Sequence, residues 1–222
     1  MVDPAPKPAP ALENLSRPTD VRARILQEAV RLFGTIGYEA TSLQSIAEAV
    51  GIRKPSLLYH FSSKEELHRQ VIESSLEHWR MELPRVLAKS LTGYDRFDSA
   101  MTALLDFFRS DPNRAKLTMR EMLDRPDALR ERLTEHLSPW IKILTEYIRM
   151  GQKSGLIKPD LHPESYVVQV LLMVMSTAAV GDVAAALAGT RNPGQDERDK
   201  AELVRIAREA VFVDPGAQTG RA

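Results

Sequence analysis

The sequence predicts an all-α protein. Apolar residues recur at spacings of three and four along most of the chain, which places them on one face of a helix. No segment alternates apolar and polar residues as a half-buried strand does, and proline or glycine interrupts the helical patterns. With 222 residues, of which 43% are hydrophobic and 27% charged, the chain is long enough to bury the core of one large or two modest domains.

Both ends of the chain are predicted to lack regular structure. Residues 1–18 alternate proline with small residues, a composition that favours a flexible, extended arm. This arm lacks the apolar core of a secretory signal, and the chain has no cysteine, so a cytoplasmic location is expected. Residues 214–222 are predicted to form a flexible tail.

Residues 19–66 carry the sharpest helix signals in the chain. A first apolar stripe ends before Gly37. Thr41 and Gln44 have the spacing of a capping box, in which each side chain satisfies a free backbone amide of the other. Thr41 is therefore the predicted N-cap of a second helix. That helix is predicted to end at Gly51, because glycine adopts the left-handed conformation without steric cost.

A third, very short helix is predicted over residues 54–60. Pro55 is favoured at the first helical position, because its missing N–H would have no partner there. Two turns are too few to be stable alone, so Leu57 and Phe61 are expected to anchor the helix to its neighbours. The side of this helix that faces away from those anchors carries basic, hydroxyl and aromatic side chains, namely Arg53, Lys54, Ser56, Tyr59 and His60.

Two helices joined by a sharp turn, the second short and basic, are typical of side chains presented to the major groove of DNA. The alternative is an ordinary corner between two helices of an all-helical protein. Overall charge does not decide between them, because Lys+Arg and Asp+Glu are both 30. Basic residues outnumber acidic ones between Arg17 and Lys64, which favours nucleic acid weakly. Arg17 is a candidate for the minor groove, although a solvated arm with no role is the simpler interpretation.

The motifs of this segment resemble those of the TetR/AcrR family of bacterial repressors. They are Thr41-Ser42, Ile46-Ala47, Val50-Gly51, Lys54-Pro55-Ser56-Leu57, Tyr59-His60-Phe61 and Lys64-Glu65-Glu66-Leu67, within a resemblance that covers roughly residues 22–67. The resemblance implies an N-terminal three-helix helix-turn-helix DNA-binding domain at 19–66. A long helix would join it to a C-terminal helical bundle at 67–213 that binds ligand and dimerises.

The resemblance also implies roles for individual residues. Thr41 and Ser42 would approach phosphates at a helix N-terminus, where free amides favour anions. Tyr59, His60 and Lys64 match positions that hold the DNA backbone, while Arg53, Lys54 and Ser56 match positions that contact bases. Alternatively, Tyr59 is a half-buried core ring and His60 a structural histidine. The predicted DNA-binding residues are Thr41, Ser42, Arg53, Lys54, Pro55, Ser56, Tyr59, His60 and Lys64.

Leu58 departs from the family pattern, because members commonly carry tyrosine at its position. Leucine forms no hydrogen bond through its side chain. The resemblance implies that the family tyrosine touches DNA. In this chain the contact is therefore lost, replaced by apolar packing on a thymine methyl, or turned inward as core.

A second capping box at Ser63 and Glu66 begins a long helix that would connect the two domains. Pro84 is predicted to kink or end it. Its apolar stripe comprises Leu67, Val71, Ile72, Leu76, Trp79 and Leu83. Because one element spans both domains, any tilt of this helix is expected to move the DNA-binding face.

Three further helical patterns of the body are predicted around residues 97–108, 115–123 and 129–150. They carry a mixture of apolar and polar side chains that is suited to the wall of a ligand pocket. The alternative is that these side chains are ordinary core. The candidate pocket residues are Met101, Met119, Met122, His136, Trp140 and Tyr147.

Residues 166–188 form an apolar stretch nearly long enough to span a bilayer. Asp182 argues against insertion, since a carboxylate at the bilayer centre costs roughly 2.5–3.5 kcal/mol on insertion scales. We therefore expect no membrane partner. Small residues in this stretch would allow another helix to approach closely, and a last helical stripe follows near residues 201–211.

These last two helices, doubled by a twofold axis, would form a four-helix dimer interface, which is also where the family resemblance places subunit contact. The alternative is that they only complete the core of the monomer. The candidate interface residues are Ala178, Ala179, Asp182, Ala185, Val204, Ala207 and Val211.

The expected function is a ligand-responsive transcriptional regulator, a repressor that binds a palindromic DNA operator as a homodimer and is released by a small-molecule effector. The sequence contains no phosphate loop, nucleophile elbow or paired histidines at metal spacing, so no enzyme, cofactor or metal is expected. The alternative is an architectural or partner-recruiting DNA-binding protein that has no small-molecule inducer.

Overall fold

The computed structural model describes residues 20–88, 95–187 and 195–213 and is all-α over that part of the chain. The elements are α1 (Val21–Ile36), α2 (Leu43–Val50), α3 (Lys54–His60), α4 (Lys64–Ala88), α5 (Asp95–Ser110), α6 (Pro112–Asp124), α7 (Pro126–Lys153), α8 (Pro163–Leu187) and α9 (Gln195–Val211). Arg17, the N-terminal arm and the C-terminal tail of the sequence predictions lie outside the described residues.

Helices α1, α2 and α3 form a small three-helix head around a shared core. Ile25, Ile46 and Leu57 are each 0% exposed, one from each helix. Both turns are made by glycine with positive φ, at Gly37 (88°) and Gly51 (76°), as the sequence predicts. The anchoring of the two-turn helix α3 by apolar burial is also confirmed.

The predicted N-cap of α2 is wrong by one residue. Ser42, not Thr41, caps the helix, and its capping-box partner is Ser45. The Ser42 hydroxyl accepts from the Ser45 amide at 2.9 Å. Thr41 instead faces inward, where its hydroxyl donates to the carbonyl oxygen of Gly37 at 2.7 Å. Two adjacent hydroxyl residues both suit an N-cap, and tertiary packing decides between them.

Helix α4 connects the head to the body. It begins after Ser63, whose hydroxyl accepts from the Glu66 amide at 3.1 Å, as predicted. Its apolar stripe is buried along its whole length, from Leu67 to Leu83. The helix continues through Pro84 to Ala88, so the expectation that proline would end it is wrong, and the proline lies inside the last turns.

The body is built from α4 to α9. Helix α7 packs against α4 and α8, while α5 contacts α4, α8 and α9. Helix α6 packs between α1 of the head and α8 of the body. The backbone of α8 departs from helical geometry at Val180, where φ is −123°. An isolated antiparallel bridge between Ile157 and Phe212 joins the segment that follows α7 to the residue that follows α9.

Within the described residues, one segment, Pro163–Gly181 in α8, is long and apolar enough to cross a membrane. Its length and composition are also those of core helices in soluble proteins. Only 22% of this segment is buried inside the chain. The outer side of α8 is therefore an apolar surface that a single copy of the chain leaves uncovered.

Candidate nucleic-acid interface and effector cavity

Helix α3 presents one side to solvent and the other to the core. Arg53, Lys54 and Ser56 are exposed, together with Pro55, the second residue of the helix. Within the part of the chain that the structure describes, the side chains of Arg53, Lys54 and Ser56 form no hydrogen bond or ion pair. These three side chains are therefore available to a partner from outside the chain.

Tyr59 extends the same exposed face. Its side chain is 87% exposed, which rules out the alternative of a half-buried core ring. The ring of the half-buried His60 lies 5.4 Å from that of Tyr59, edge to face. Tyrosine exposed to this degree on a rigid helix offers both a ring face and a hydroxyl to a partner.

Leu58 is 39% exposed and lies beside this face. The possibility that it turns inward as core is thus wrong. An exposed aliphatic side chain offers methyl groups but no hydrogen bond, so a lost contact and apolar packing on a thymine methyl remain the two predictions for this position.

The remaining predicted contacts differ in their surroundings. Ser42 is exposed at the N-terminus of α2, where backbone amides point outward. Thr41 is only 1% exposed, so its side chain cannot reach a phosphate, and the role predicted for it is corrected. Lys64 is half-buried; its ammonium lies 4.2 Å from the centre of the Tyr38 ring and donates to the Glu39 carbonyl at 3.3 Å.

The head packs closely against α6. An ideal Cβ added to Gly34 would lie 2.7 Å from the Asn113 carbonyl oxygen and 3.3 Å from the Leu117 amide nitrogen, so only glycine permits this approach. Arg120 of α6 donates from Nε to the Gly34 carbonyl at 2.9 Å and from a terminal nitrogen to the Thr35 carbonyl at 2.9 Å. The sequence analysis missed this joint, for which an isolated glycine inside a helical pattern was the available signal.

A buried polar pair lies in the same joint. His68 of α4 and Glu121 of α6 approach to 3.2 Å, with side chains that are 4% and 9% exposed. The rings of Phe33 and Tyr38 pack edge-on against the imidazole at 5.0 and 4.8 Å. Helices α1, α4 and α6 therefore meet at one histidine.

A third group of contacts closes the joint at its solvent edge. The Arg125 guanidinium lies 4.0 Å from the centre of the Tyr38 ring and 3.0 Å from a carboxyl oxygen of Glu65. The Tyr38 hydroxyl donates to the other Glu65 oxygen at 2.7 Å, and this hydrogen bond is the main cause that lowers the pKa of the carboxyl. The head and body are thus joined by packing, hydrogen bonds and charge.

An apolar cavity of about 280 Å³ lies in the body, between α4, α5, α7, α8 and the end of α9. Of the predicted pocket residues, Met101, Trp140 and Tyr147 line it. Tyr166 also lines it, and burial raises the pKa of its phenol. The Tyr166 hydroxyl donates to the Ala207 carbonyl at 2.7 Å, which ties α8 to α9.

The other predicted pocket residues lie elsewhere. Met122 lines a neighbouring cavity of about 230 Å³, and Met119 packs against the core. His136 borders a separate surface groove with Trp140; its Nε2 lies 3.1 Å from Glu73, and its buried Nδ1 has no hydrogen-bond partner in the described structure. Helix spacing in the sequence did not reveal which of these side chains share a wall.

The residues predicted for the dimer interface are mostly buried within one chain. Ala179, Val204, Ala207 and Val211 are between 1% and 6% exposed, so they complete the monomer core and the interface prediction for them is wrong. The stripe on α9 is covered by α5 rather than by a second subunit. Ala178 and Ala185 are half-buried, and the side chain of Asp182 lies outside the described structure.

A different surface of α8 and α9 is apolar and exposed. We call the following residues the outer face: Val180, Val183, Leu187 and Ile206, which are 49%, 60%, 86% and 47% exposed. A groove lies between the two helices, with Ala178, Ala184 and Ala185 in its wall and Arg109, Lys116 and Glu202 among its charged residues. An apolar centre bordered by charge is typical of a protein–protein interface.

Among the residues described, no group of three or more histidine, aspartate or glutamate side chains is arranged to hold a metal ion.

Comparison with known proteins agrees with the geometry of the head. Residues 25–71, from α1 into α4, match the model described as bacterial regulatory proteins, tetR family. The HTH-type transcriptional regulator RutR of Escherichia coli (strain K12) is 30% identical over 135 residues, which span 61% of this chain and 63% of RutR. The chain thus matches less than two thirds of the length of that relative.

Solved structures extend the likeness over the body. The ketosteroid transcriptional regulator KstR2 of Mycobacterium tuberculosis has a TM-score of 0.62 at 19% identity and covers 89% of this chain and 98% of its own. A TetR transcriptional regulator from Chloroflexus aurantiacus J-10-FL has a TM-score of 0.57 at 25% identity, over 87% of this chain and 97% of its own. Residues 25–71 thus match the tetR family of bacterial regulatory proteins, and the all-helical body shares the fold of these solved regulators.

Proposed function

We propose that this protein is a ligand-responsive transcriptional repressor that binds a palindromic operator as a homodimer and is released by a small molecule in the body cavity. The observation that carries the proposal is the exposed face of α3, whose cationic and hydroxyl side chains lack partners within the described chain. A short helix held by its opposite side is the element that enters a major groove.

Two elements link the cavity to the head. Leu83 near the end of α4 lines the cavity, while the start of the same helix packs against α1. Helix α6 contacts α1 directly and touches α8, which forms another wall of the cavity. A ligand that binds better to one arrangement of these helices shifts the head position by its differential affinity, commonly about 1–3 kcal/mol.

Dimerisation through the outer face of α8 and α9 supports operator recognition. Two heads held about 34–36 Å apart contact successive major grooves on one side of a duplex, whereas one two-turn helix binds weakly. The outer face is an exposed apolar surface that a second copy of the chain would cover. We further propose that the protein acts in the cytoplasm, where its operator would lie.

A DNA-binding protein without an inducer is the second candidate. The cavity favours the first candidate, because an apolar space of about 280 Å³ beside the connecting helix can hold a small molecule, which a purely architectural function does not require. Operator sites are first selected from a randomised DNA pool. Small molecules that raise the melting temperature of the protein are then added to the protein–DNA complex. Release of the DNA supports the ligand-responsive function, whereas DNA binding that none of these compounds alters supports the alternative.

Two substitutions in the head separate base contacts from phosphate contacts. Arg53→Ala is expected to relax the preference at one base position at a cost of roughly 1–3 kcal/mol, because a guanidinium pairs with the acceptor edge of guanine. Lys64→Ala is expected to weaken binding to every sequence alike and to reduce the salt slope by about one, because the ammonium, which also packs on the Tyr38 ring, would meet a phosphate and no base. Fluorescence anisotropy on the selected site and its point variants measures both.

Glu39→Ala, in the head but off α3, serves as the control and should leave base preference unchanged. If Lys64→Ala loses base preference, Lys64 contacts a base. If Arg53→Ala weakens binding to every sequence alike, Arg53 contacts phosphate. Either result would contradict the role proposed for that residue. Unchanged affinity in both variants would contradict the proposed interface.

A further inference from the structure

The body cavity has an unusual wall, because none of its described lining residues carries a charge. The wall is built from apolar and aromatic side chains, among them Leu83, Ala100, Met101, Trp140, Tyr147 and Tyr166. No lysine, arginine, histidine, aspartate or glutamate is among them. A charged group that entered this space would lose its hydration without gaining a counter-ion.

The hydroxyl groups in the wall offer few hydrogen bonds to a ligand. The Tyr166 hydroxyl already donates to the Ala207 carbonyl at 2.7 Å. Tyr147 lines the cavity but is 62% exposed, so its side chain lies at the opening rather than in the depth. Whatever polar group a ligand carries is therefore best placed at the mouth, near Tyr147 and solvent.

The charged pairs of the body are not among the residues that line this cavity. The carboxylates Glu73 and Glu77 face His136, which borders the surface groove, and Glu121 faces His68 in the joint. Asp98 precedes the lining residue Ala100 on α5, yet its carboxylate is paired with Arg208 of α9. Since these charges already have partners, none is free to meet a charged ligand in the cavity.

We infer that the effector is an electrically neutral, largely hydrocarbon molecule whose single weakly polar end lies at the Tyr147 opening. This inference rests on the proposed function and deepens it, because it names the chemical class of the effector. The volume of about 280 Å³ is at the small end of ligand pockets, which favours a compact ring system or a medium-length alkyl chain. The uncharged wall excludes ionised carboxylates, phosphates and amines from the buried part of the cavity.

The test compares three ligands that share one alkyl chain. Purified full-length protein is titrated with 1-decanol, decanoate or decylammonium at about pH 8, where the carboxylate and the ammonium are both ionised. Binding is measured by the rise in melting temperature and by tryptophan fluorescence, to which Trp140 in the wall contributes. Decanol is expected to bind at least about tenfold more tightly than either ion, since an ionised end loses part of its hydration even at the opening and finds no counter-ion among the lining residues.

A filling variant assigns the binding to this cavity. Ala100→Phe adds a ring to the α5 wall and should weaken decanol binding by about tenfold or more, while operator binding without ligand is retained. Ala128→Phe carries the same change at an exposed position of α7 and serves as the control. If Ala100→Phe proves unfolded, the ligand series on the unchanged protein still decides the question.

The outcomes separate the inference from the function on which it rests. Tight binding of decanoate or decylammonium, no binding of any of the three, or equal binding to Ala100→Phe and Ala128→Phe would overturn the neutral-ligand inference. Selective decanol binding that leaves operator affinity unchanged would support the inference about the cavity and contradict the proposed release of DNA.

Discussion

Val183→Glu is expected to convert the dimer to a monomer and to lower the affinity for the selected operator by at least about 1000-fold, towards the level of non-specific binding. Val183 lies in the outer face of α8, 60% exposed in a single chain. Its burial against a second copy would place a carboxylate in an apolar interface without a partner, at a cost of several kcal/mol. Sedimentation velocity measures the assembly, and fluorescence anisotropy measures the affinity.

Leu123→Glu is the matched control for this variant. Leu123 is 79% exposed near the end of α6, outside the outer face, so a glutamate there should leave both assembly and operator affinity unchanged. A Val183→Glu protein that sediments as a dimer would move the interface away from α8. A monomer that still binds the palindrome at full strength would remove the need for two heads.

Gly34→Ala is expected to lower the free energy of unfolding by about 1–3 kcal/mol, the usual range for forcing extra atoms into a packed interior. In an ordinary helix interior the same change raises stability by as much as ~1 kcal/mol. The sign reverses here because the new methyl group would lie 2.7 Å from the Asn113 carbonyl oxygen, on a backbone that cannot rotate away. Urea unfolding followed by circular dichroism measures the difference.

The same variant tests whether the joint carries the response to ligand. Separating α1 from α6 should reduce the shift in operator affinity that a cavity ligand causes. Thr35→Ala, at the next and exposed position of α1, is expected to change stability by less than about 0.5 kcal/mol and to retain the response. Higher stability in Gly34→Ala would mean that the two helices do not approach as closely as the structure has them.

Local signals predicted the head well because its turns and helix starts depend on residues near one another in the chain. Gly51 ends α2 through its own backbone freedom, and Pro55 favours the first turn of α3 through its fixed φ, so both positions were predictable. The cap of α2 was less certain locally. Thr41 and Ser42 are both good N-caps, and only the inward packing of Thr41 on the Gly37 carbonyl settles which one acts.

In the body, the apolar stripes predict which side of a helix is buried but not which element covers it. Val204 and Ala207 have the periodicity of a buried face, but periodicity does not say whether α5 of the same chain or a second chain provides the cover. Val183 and Leu187 of the outer face belong to the same continuous apolar stretch as the buried residues of α8, so the sequence did not distinguish them as exposed. The pocket prediction failed similarly, since Met101 and Met122 look alike in the sequence and line different cavities.

The entry of α3 into duplex DNA is tested most directly by crosslinking. Because the chain has no cysteine, Ser56→Cys introduces a single thiol on the exposed side of α3, and Ser165→Cys introduces one at an exposed site of α8. Each protein is incubated with the selected duplex carrying a disulfide-activated tether at successive bases. We expect Ser56→Cys to crosslink rapidly at two positions about 34–36 Å apart, one in each half of the palindrome. Crosslinking no faster than that of Ser165→Cys would contradict the account.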